Sequence, residues 1–380
     1  MKSRSERPDL ILPPVAQVGD RLETVGTPAL LVDLDAFEFN LTRMQALSEQ
    51  HAVALRPHAK AHKSSAIADA QLALGAIGIC CQKLSEAYPF VNAGVTSIHI
   101  SNEFVGSDKI SMAVQLARHI DLSICVDHPA QIDAIGQASA EAGAVITVLP
   151  EIDLGHGRCG VADHDDLARL VDRIAGYAGL RFGGLQAYHG GIQHQASWAQ
   201  RQQDAAISAN KVAQYSQYLE ARGINCAVIT GGGTGTAEFD AASGVFTEIQ
   251  PGSYVFMDAD YGKNQWCGEA QWRHSLFIAS TIMSTAKRGL AVCDVGLKSV
   301  AVDSGLPTVY ADDRFSYVSA NDEHGIIRLD AKDTNDHLGQ RLLLIPGHCD
   351  PTANLYQDYV CIRDGIVEKL WHIDARGYSR

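Results

Sequence analysis

Residues 227–235 read Ala-Val-Ile-Thr-Gly-Gly-Gly-Thr-Gly, a short apolar run that ends in glycines. An apolar run closed by turn residues is typical of a buried strand in a parallel sheet. Consecutive glycines let backbone N–H groups approach and bind a phosphate. A flexible turn is the alternative interpretation, so the position of the glycines in the fold has to decide between the two.

Seven similar apolar runs lie on either side of this stretch, and amphipathic stretches of helical periodicity separate them. The predicted strands are Ala52–Arg56, Ile77–Cys81, Ser97–Ser101, Leu122–Val126, Ile146–Ile152, Phe182–Ala187, Ala227–Thr230 and Glu248–Pro251. The clearest predicted helices are Asp35–Gln50, Ser64–Leu74 and Asp204–Arg222. This alternation over about 230 residues predicts an α/β fold, a (β/α)8 TIM-type barrel. A doubly wound sheet is the alternative, but it would gather ligand residues at one switch point, whereas polar residues here follow almost every strand.

The hydrophobic pattern of the sequence changes after about Asn264, where the alternation typical of strands replaces helical periodicity. The strands predicted there are Trp272–Thr285, Gly289–Val295, Arg341–Ile345, Tyr356–Arg363 and Ile366–Ile373. We therefore expect a barrel over residues 27–264 and a mostly-β C-terminal domain over 265–380, with residues 1–26 packing on the β domain.

The composition and charge of the chain indicate which partners and which compartment to expect. The formal net charge of −13 argues against nucleic acid or an anionic membrane as a partner. No apolar run reaches the roughly 18 residues that would span a bilayer, and the first twenty residues do not form a secretory signal. The nine cysteines are scattered through apolar strands, as expected for reduced core thiols of a cytoplasmic protein.

The side chains that follow the strands of a barrel converge on one mouth. In this sequence they are His58, Lys60, Gln82, Asn102, Arg158, Tyr188 and His194, together with Gly231–Gly235 and Gln250–Tyr254. A desolvated lysine at such a mouth can form a Schiff base, although a solvated loop lysine would look the same in sequence. The glycine run follows the seventh strand and Pro251-Gly252-Ser253-Tyr254 follows the eighth, where barrels most often bind phosphate. This placement favours phosphate binding over a flexible turn.

A candidate metal motif lies in the β domain, where residues 346–352 read Pro-Gly-His-Cys-Asp-Pro-Thr. In an extended segment His348 and Asp350 share one face. An imidazole and a carboxylate suit Mn²⁺, Co²⁺, Mg²⁺ or Zn²⁺ and leave positions open for water and substrate. On spacing alone, a loop pair bonded to the backbone is the more common structure.

Five longer strings resemble one enzyme family: RPHAKAHKS (56–64), GICCQKLSEA (78–87), LQAYHG (185–190), ITGGGTG (229–235) and GSYVFMDADYG (252–262). They are similar to the D-threonine aldolase and 3-hydroxy-D-aspartate aldolase family. These are metal-activated pyridoxal-5′-phosphate (PLP) enzymes of fold type III, with an alanine racemase-like barrel, and they are related to D-serine dehydratase. The resemblance runs from about Thr27 to the C-terminus and implies a homodimer.

The resemblance implies PLP and a divalent metal as cofactors, with Mn²⁺ first and Co²⁺, Mg²⁺ or Zn²⁺ as alternatives. It implies Lys60 as the Schiff-base lysine, His194 as the catalytic base, and His348 and Asp350 as the metal ligands. The cofactor-binding residues that it implies are Lys60, His58, Gln82, Arg158, Tyr188, Thr230, Gly232, Gly233, Thr234, Gln250, Gly252, Ser253 and Tyr254. Arg158 corresponds to the residue beside the phenolic oxygen of the cofactor. Gln250 stands where alanine racemases place an arginine against the pyridine nitrogen.

The activity implied is cleavage of small D-3-hydroxy amino acids, with D-threonine giving glycine and acetaldehyde. One alternative is a 3-hydroxy-D-aspartate aldolase that forms glycine and glyoxylate. Another is a dehydratase of D-serine or 3-hydroxyaspartate, and a more distant one is a non-catalytic PLP-binding protein. The His-x-Asp motif favours cleavage, because eukaryotic D-serine dehydratases carry His-x-Cys at this place.

Overall fold

A computed structural model describes residues 10–267 and 272–380 of the chain. Residues 1–9 belong to the N-terminal segment expected to pack on the β domain, and 268–271 belong to the expected β domain. Both stretches lie outside the described residues.

The first half of the chain forms the predicted ring of parallel strands. Its strands are Ala54–Leu55, Ile79–Cys81, Ser97–Ile100, Asp121–Val126, Ile146–Pro150, Leu180–Phe182 continued by Gly184–Ala187, Val228–Gly231 and Glu248–Ile249. They form one five-stranded and one four-stranded parallel sheet. Parallel bridges between His58 and Cys80 and between Glu151 and Gln186 join the two sheets on both sides. The predicted barrel is confirmed.

Gly183 separates the two halves of the sixth barrel strand, and Gly184 begins the second half. The first half pairs with the fifth strand and the second half with the seventh. Gly184 lies at φ +142°, and a Cβ on it would lie 1.7 Å from the carbonyl oxygen of Val228. Only glycine allows the two strands to approach this closely.

Helices surround the barrel and cover its strands. They are Leu34–Gln50, Ser65–Ala73, Leu84–Asn92, Ser107–Ala117, Pro129–Ala142, His164–Ala175, Trp198–Glu220 and Ala237–Ala242, and a ninth helix, Cys349–Ala353, lies in the β domain. In His164–Ala175 the buried residues Leu167, Leu170, Val171 and Ile174 follow helical spacing, so one face packs on the barrel. Among the helices described, none is long and apolar enough to cross a membrane.

The second domain is a nine-stranded sheet. Its strands are Ala29–Asp33, Leu276–Lys287, Leu290–Cys293, Thr308–Val309, Phe315–Ala320, Gly325–Leu329, Arg341–Ile345, Asp358–Arg363 and Ile366–His372. Residues 27–33 were expected in the barrel, but Ala29–Asp33 pairs with Leu276–Lys287 and with Asp358–Arg363. Five mostly apolar residues suit either sheet, and only their long-range partners show which one they join.

Both domains contribute to one continuous hydrophobic core. Buried residues of the barrel, such as Ile98 and Ile146, belong to the same cluster as Leu276 and Ile327 of the β domain. Gly19 also donates its N–H to the carbonyl oxygen of Val367 at 2.8 Å, so the chain before the first strand lies on the β domain. The barrel mouth therefore opens beside the loops of the second sheet.

Candidate active site

The barrel mouth opens into a cavity of about 270 Å³, here called the mouth cavity. It is lined by His58, Lys60, Gln82, Ser101, Arg158, Gln186, Tyr188, Gly232, Gly233, Thr234, Gln250, Gly252, Ser253 and Tyr261. Most of the residues predicted to bind the cofactor are in this set. Ser101, Gln186 and Tyr261 were not predicted as site residues, although Tyr261 and Gln186 lie within the strings GSYVFMDADYG and LQAYHG.

Two predicted cofactor-binding residues support the mouth cavity from behind. The Thr230 hydroxyl donates to Glu248 Oε1 at 2.7 Å and accepts from Gln250 Nε2 at 2.7 Å. The Tyr254 hydroxyl accepts from Gln71 Nε2 at 3.1 Å, while its backbone N–H donates to Thr234 Oγ1 at 3.0 Å. The hydroxyl groups of Thr230 and Tyr254 therefore form their hydrogen bonds with residues outside the mouth cavity. The sequence does not show that these side chains point away from the cavity.

The glycine loop forms a cradle that suits a phosphate. Gly232 lies at φ +71°, and a Cβ on Gly233 would lie 2.5 Å from Gln193 Oε1. On the opposite side, a Cβ on Gly252 would lie 3.0 Å from the carbonyl oxygen of His58. Within residues 10–267 and 272–380, the backbone N–H groups of Gly233 and Thr234 have no protein acceptor. Bare backbone with free N–H donors is the arrangement that binds phosphate, so these residues fit the phosphate of PLP.

Lys60 makes an ion pair across the two domains. It lies in a short 3-10 turn, Ala59–Ala61, capped by His58. Its Nζ is 2.5 Å from Asp350 Oδ2. Burial lowers the pKa of Lys60, but the Asp350 carboxylate outweighs burial and raises it above its usual range. Burial likewise raises the pKa of Asp350, but Lys60 and then His348 hold it well below its usual range. Lys60 is thus a protonated amine in contact with an ionised carboxylate.

The imidazole of His348 is oriented by a carboxylate that the sequence analysis missed. Its Nδ1 is 2.7 Å from Asp303 Oδ2 and 3.3 Å from Ser304 Oγ. This contact leaves Nε2 free as a ligand, in the carboxylate–histidine arrangement common behind metal ions. With Asp350 two residues away, the donor set fits a divalent metal that completes its coordination with water or substrate. Asp303 carries no sequence signal, since it lies 45 residues before its partner.

His194 lies at the rim of the mouth cavity and is not among its lining residues. Its Nδ1 is 2.8 Å from Asp260 Oδ2, and 43% of its side chain is exposed. The ring of Tyr261, which does line the mouth cavity, lies 4.7 Å from the His194 ring, centroid to centroid. The Asp260 contact leaves Nε2 of His194 free to accept a proton.

A chain of hydrogen bonds below the mouth cavity fixes the orientation of Gln250. Glu248 is paired with Arg56 at 3.0 Å and accepts a hydrogen bond from the Thr230 hydroxyl. Thr230 must therefore accept from Gln250 Nε2, whose second hydrogen goes to Gln186 Oε1 at 2.8 Å. The amide oxygen of Gln250 accepts a long hydrogen bond from Gln186 Nε2 at 3.5 Å and keeps a second lone pair for a ligand.

Comparison with known families identifies the class. Residues 32–260 match the alanine racemase N-terminal domain, and residues 275–362 match the putative serine dehydratase domain. Together with the lysine, the phosphate cradle and the barrel mouth, these matches define an alanine racemase-like, PLP-dependent barrel enzyme with a serine dehydratase-type second domain.

Full-length relatives place the chain within that class. It is 50% identical to D-threonine aldolase of an Arthrobacter species over 98% of each chain. It is 39% identical to 3-hydroxy-D-aspartate aldolase of Paracoccus denitrificans strain Pd 1222, over 93% of this chain and 92% of the relative. The crystal structure of D-threonine aldolase from Filomicrobium marinum matches with a TM-score of 0.93 at 43% identity, over 96% of this chain and 99% of that one. The chain belongs to the family of D-threonine aldolases and 3-hydroxy-D-aspartate aldolases.

Proposed function

We propose that the protein is a lyase that cleaves the Cα–Cβ bond of D-3-hydroxy amino acids and releases glycine and an aldehyde, with D-threonine as a substrate. The observation that carries the proposal is the contact between Lys60 at the barrel mouth and Asp350 of the His-x-Asp motif. This contact puts one of the two candidate metal ligands directly beside the candidate cofactor lysine, which lines the mouth cavity. The full-length similarity to aldolases supports the same reaction.

The residues divide into two binding sets. Lys60 would hold the cofactor covalently, the glycine loop and Ser253 would bind its phosphate, and Arg158 and Gln250 would contact its ring. His348 and Asp350 would hold the metal. When bound, PLP supplies an electron sink for the charge that develops at Cα, and the metal supplies a Lewis acid for the substrate hydroxyl.

His194 supplies the proton acceptor. Its free Nε2 would take the proton of the β-hydroxyl, and Asp260, 2.8 Å from Nδ1, would stabilise the imidazolium that results. Asp260 thereby plays the orienting role that a carboxylate plays behind a catalytic histidine. Tyr261 lines the mouth cavity and packs against the His194 ring, which keeps His194 next to the mouth cavity.

We also propose Mn²⁺ as the metal, a homodimer as the assembly and the cytoplasm as the compartment. One imidazole nitrogen, one carboxylate oxygen and open coordination positions suit Mn²⁺. Leu10, Ile11 and Leu12 are almost fully exposed in the single chain, and a second chain would cover them. All nine cysteines are free thiols, as expected in a reducing compartment.

Product analysis tests the proposed reaction. Enzyme loaded with PLP and Mn²⁺ is incubated separately with D-threonine, L-threonine, 3-hydroxy-D-aspartate and D-serine. We expect glycine and acetaldehyde from D-threonine, glyoxylate from 3-hydroxy-D-aspartate, and no reaction of L-threonine. Formation of 2-oxobutanoate and ammonia as the main products of D-threonine would show that the enzyme is a dehydratase.

A further inference from the structure

Three acidic side chains and a thiol meet at the barrel mouth behind Arg158. Glu103, Asp127 and Glu151 follow the third, fourth and fifth barrel strands, and Cys159 lies further along the same loop as Glu151. One ligand atom from each of Glu103, Asp127 and Cys159 lies within 4.8 Å of the other two. We call these four residues the acidic cluster. None of them has a part in the proposed cleavage.

Backbone geometry holds Cys159 in place. The next residue, Gly160, lies at φ +99°, and a Cβ on it would lie 2.7 Å from the Asp153 nitrogen. The Gly160 N–H donates to Asp127 Oδ2 at 3.1 Å, so the loop is tied to one of the carboxylates. The loop conformation therefore holds the backbone of Cys159 beside Asp127 and Glu103.

Two carboxylates of the acidic cluster, Glu103 and Glu151, have oxygens without a hydrogen-bond partner in the described part of the chain. Both Glu103 oxygens are shielded from solvent and form no hydrogen bond there, and the same holds for Oε2 of Glu151. Glu151 is only 2% exposed. The cation paired with it is Arg158, whose Nη2 is 3.6 Å from Glu151 Oε1. One guanidinium, 3.6 Å from Glu151, does not balance the charge of both Glu151 and Glu103.

We propose that Glu103, Asp127 and Cys159 form a second metal site that binds a divalent cation of the zinc and cobalt class, with Glu151 as a buried carboxylate beside it. Zinc binds carboxylate oxygen at about 2.0–2.2 Å and thiolate sulfur at about 2.3 Å, so its ligand atoms lie about 3–4 Å apart. The acidic cluster needs only a small contraction to reach that geometry. The thiolate favours zinc or cobalt over magnesium or calcium. The site shares no residue with His348 and Asp350, so it stands apart from the proposed reaction.

Zinc stoichiometry tests the second site without any activity measurement. PLP-loaded enzyme is stripped with a chelator and titrated with Zn²⁺ by calorimetry. We expect two tight sites per chain in the wild type and one in Asp350→Ala. Adding Glu103→Gln to Asp350→Ala should weaken the remaining site by about tenfold or more, because a charged ligand is lost. Adding Glu141→Gln, an exposed acid on the helix Pro129–Ala142, should leave it unchanged.

A second readout needs no substitution in the acidic cluster. Zinc bound to the Cys159 sulfur should slow its alkylation by iodoacetamide in the wild type about tenfold or more, as followed by peptide mapping, because the bound sulfur is a poor nucleophile. The exposed Cys267 is the internal control, and its rate should not change. The proposal is overturned if Asp350→Ala binds no zinc and zinc leaves the alkylation rate of Cys159 unchanged. Neither outcome bears on whether the enzyme cleaves D-threonine.

Discussion

At the scale of single residues, Lys60 and Lys63 lie three positions apart but have different surroundings. Lys60 lines the mouth cavity, whereas Lys63 is paired with Glu86 at 3.3 Å and bonded to Asn354. We predict that borohydride reduction of the PLP-loaded enzyme fixes the cofactor on Lys60, because only that amine faces the phosphate cradle. Peptide mapping measures the site of labelling. A label on Lys63 would contradict both the assignment and the geometry, and Lys60→Ala serves as the unlabelled control.

The pair of His194 and Asp260 gives a second prediction at this scale. If His194 takes the hydroxyl proton, His194→Asn should lower kcat for D-threonine by roughly 10²–10⁴-fold, the usual contribution of a general base. The absorbance of the bound cofactor should be unchanged, because Lys60 and the glycine loop remain intact. His372→Asn is the matched control, since His372 also pairs with an aspartate but is exposed on the β domain. Unchanged cleavage in His194→Asn would assign the base to another group.

Asp303 allows a test of the metal ligands that leaves both ligands in place. Its carboxylate orients His348 through Nδ1, and loss of such a contact typically lowers metal affinity by about 10–100-fold. Asp303→Asn should therefore raise the Kd for Mn²⁺ by a factor in that range, as measured by calorimetry on the PLP-loaded enzyme. Asp322→Asn, a change at an exposed position in another loop of the same domain, should have no effect. Equal affinities of the wild type and Asp303→Asn would show that the Asp303 contact does not contribute to metal binding.

At the scale of elements, the glycine loop between strand and helix depends on the Gln193 side chain. Gln193 accepts the N–H of Gly235 at 3.0 Å and donates to Thr236 Oγ1 at 2.9 Å, and it occupies the space where a Cβ of residue 233 would lie. Gly233→Ala should displace Gln193 and raise the Kd for PLP about tenfold or more, because each lost phosphate contact is charge-assisted. Cofactor titration by absorbance or fluorescence measures this.

A matched glycine separates loss of cofactor affinity from general destabilisation. Gly223 lies at φ +76° with open space around its Cα. Gly223→Ala should lower the thermal midpoint through backbone strain but leave the Kd for PLP unchanged. Equal cofactor affinity of Gly233→Ala and the wild type would show that the loop does not bind the phosphate.

The elements also show how far sequence alone reaches. The eight barrel strands were predicted because each apolar run is short and lies between helical patterns. Three strands of the second sheet, Thr308–Val309, Phe315–Ala320 and Gly325–Leu329, were missed because their alternation is interrupted by polar and turn residues. Local patterns do not show which sheet Ala29–Asp33 joins, because that depends on partners far away in the sequence. For the same reason they do not show that the side chains of Thr230 and Tyr254 point away from the mouth cavity.

At the scale of the whole molecule, the two domains are joined just after the candidate cofactor lysine. The Tyr359 hydroxyl donates to the carbonyl oxygen of His62 at 2.7 Å, and the Ser64 hydroxyl donates to that of His372 at 2.7 Å. The position of Lys60 relative to Asp350 therefore depends on both domains being docked. Lys60 and the His-x-Asp motif were each predicted from the sequence. Their contact could not be predicted, because it depends on how the two domains dock.

His62 lies at this junction and makes the stability of the docked molecule depend on pH. Its side chain is fully buried, its Nδ1 accepts the N–H of Ser64 at 3.1 Å, and its Nε2 has no hydrogen-bond partner within the described residues. Burial lowers the pKa of His62 to about 4, whereas an unfolded histidine titrates near 6.5. Between these values the unfolded chain binds a proton that the folded chain does not. Stability is therefore highest above about pH 6.5, falls as the pH drops, and levels off near pH 4.

The size of this effect sets the last prediction. Lowering the pH from about 7.5 to about 5.5 should reduce the free energy of unfolding by about 1 kcal/mol through His62 alone, because one pKa unit corresponds to about 1.4 kcal/mol. His62→Gln cannot titrate, so its urea midpoint should be lower at neutral pH but should shift less between the two pH values. His372→Gln, at an exposed position, should keep the pH dependence of the wild type. If His62→Gln and the wild type shift equally, the buried imidazole at the domain junction does not govern acid sensitivity.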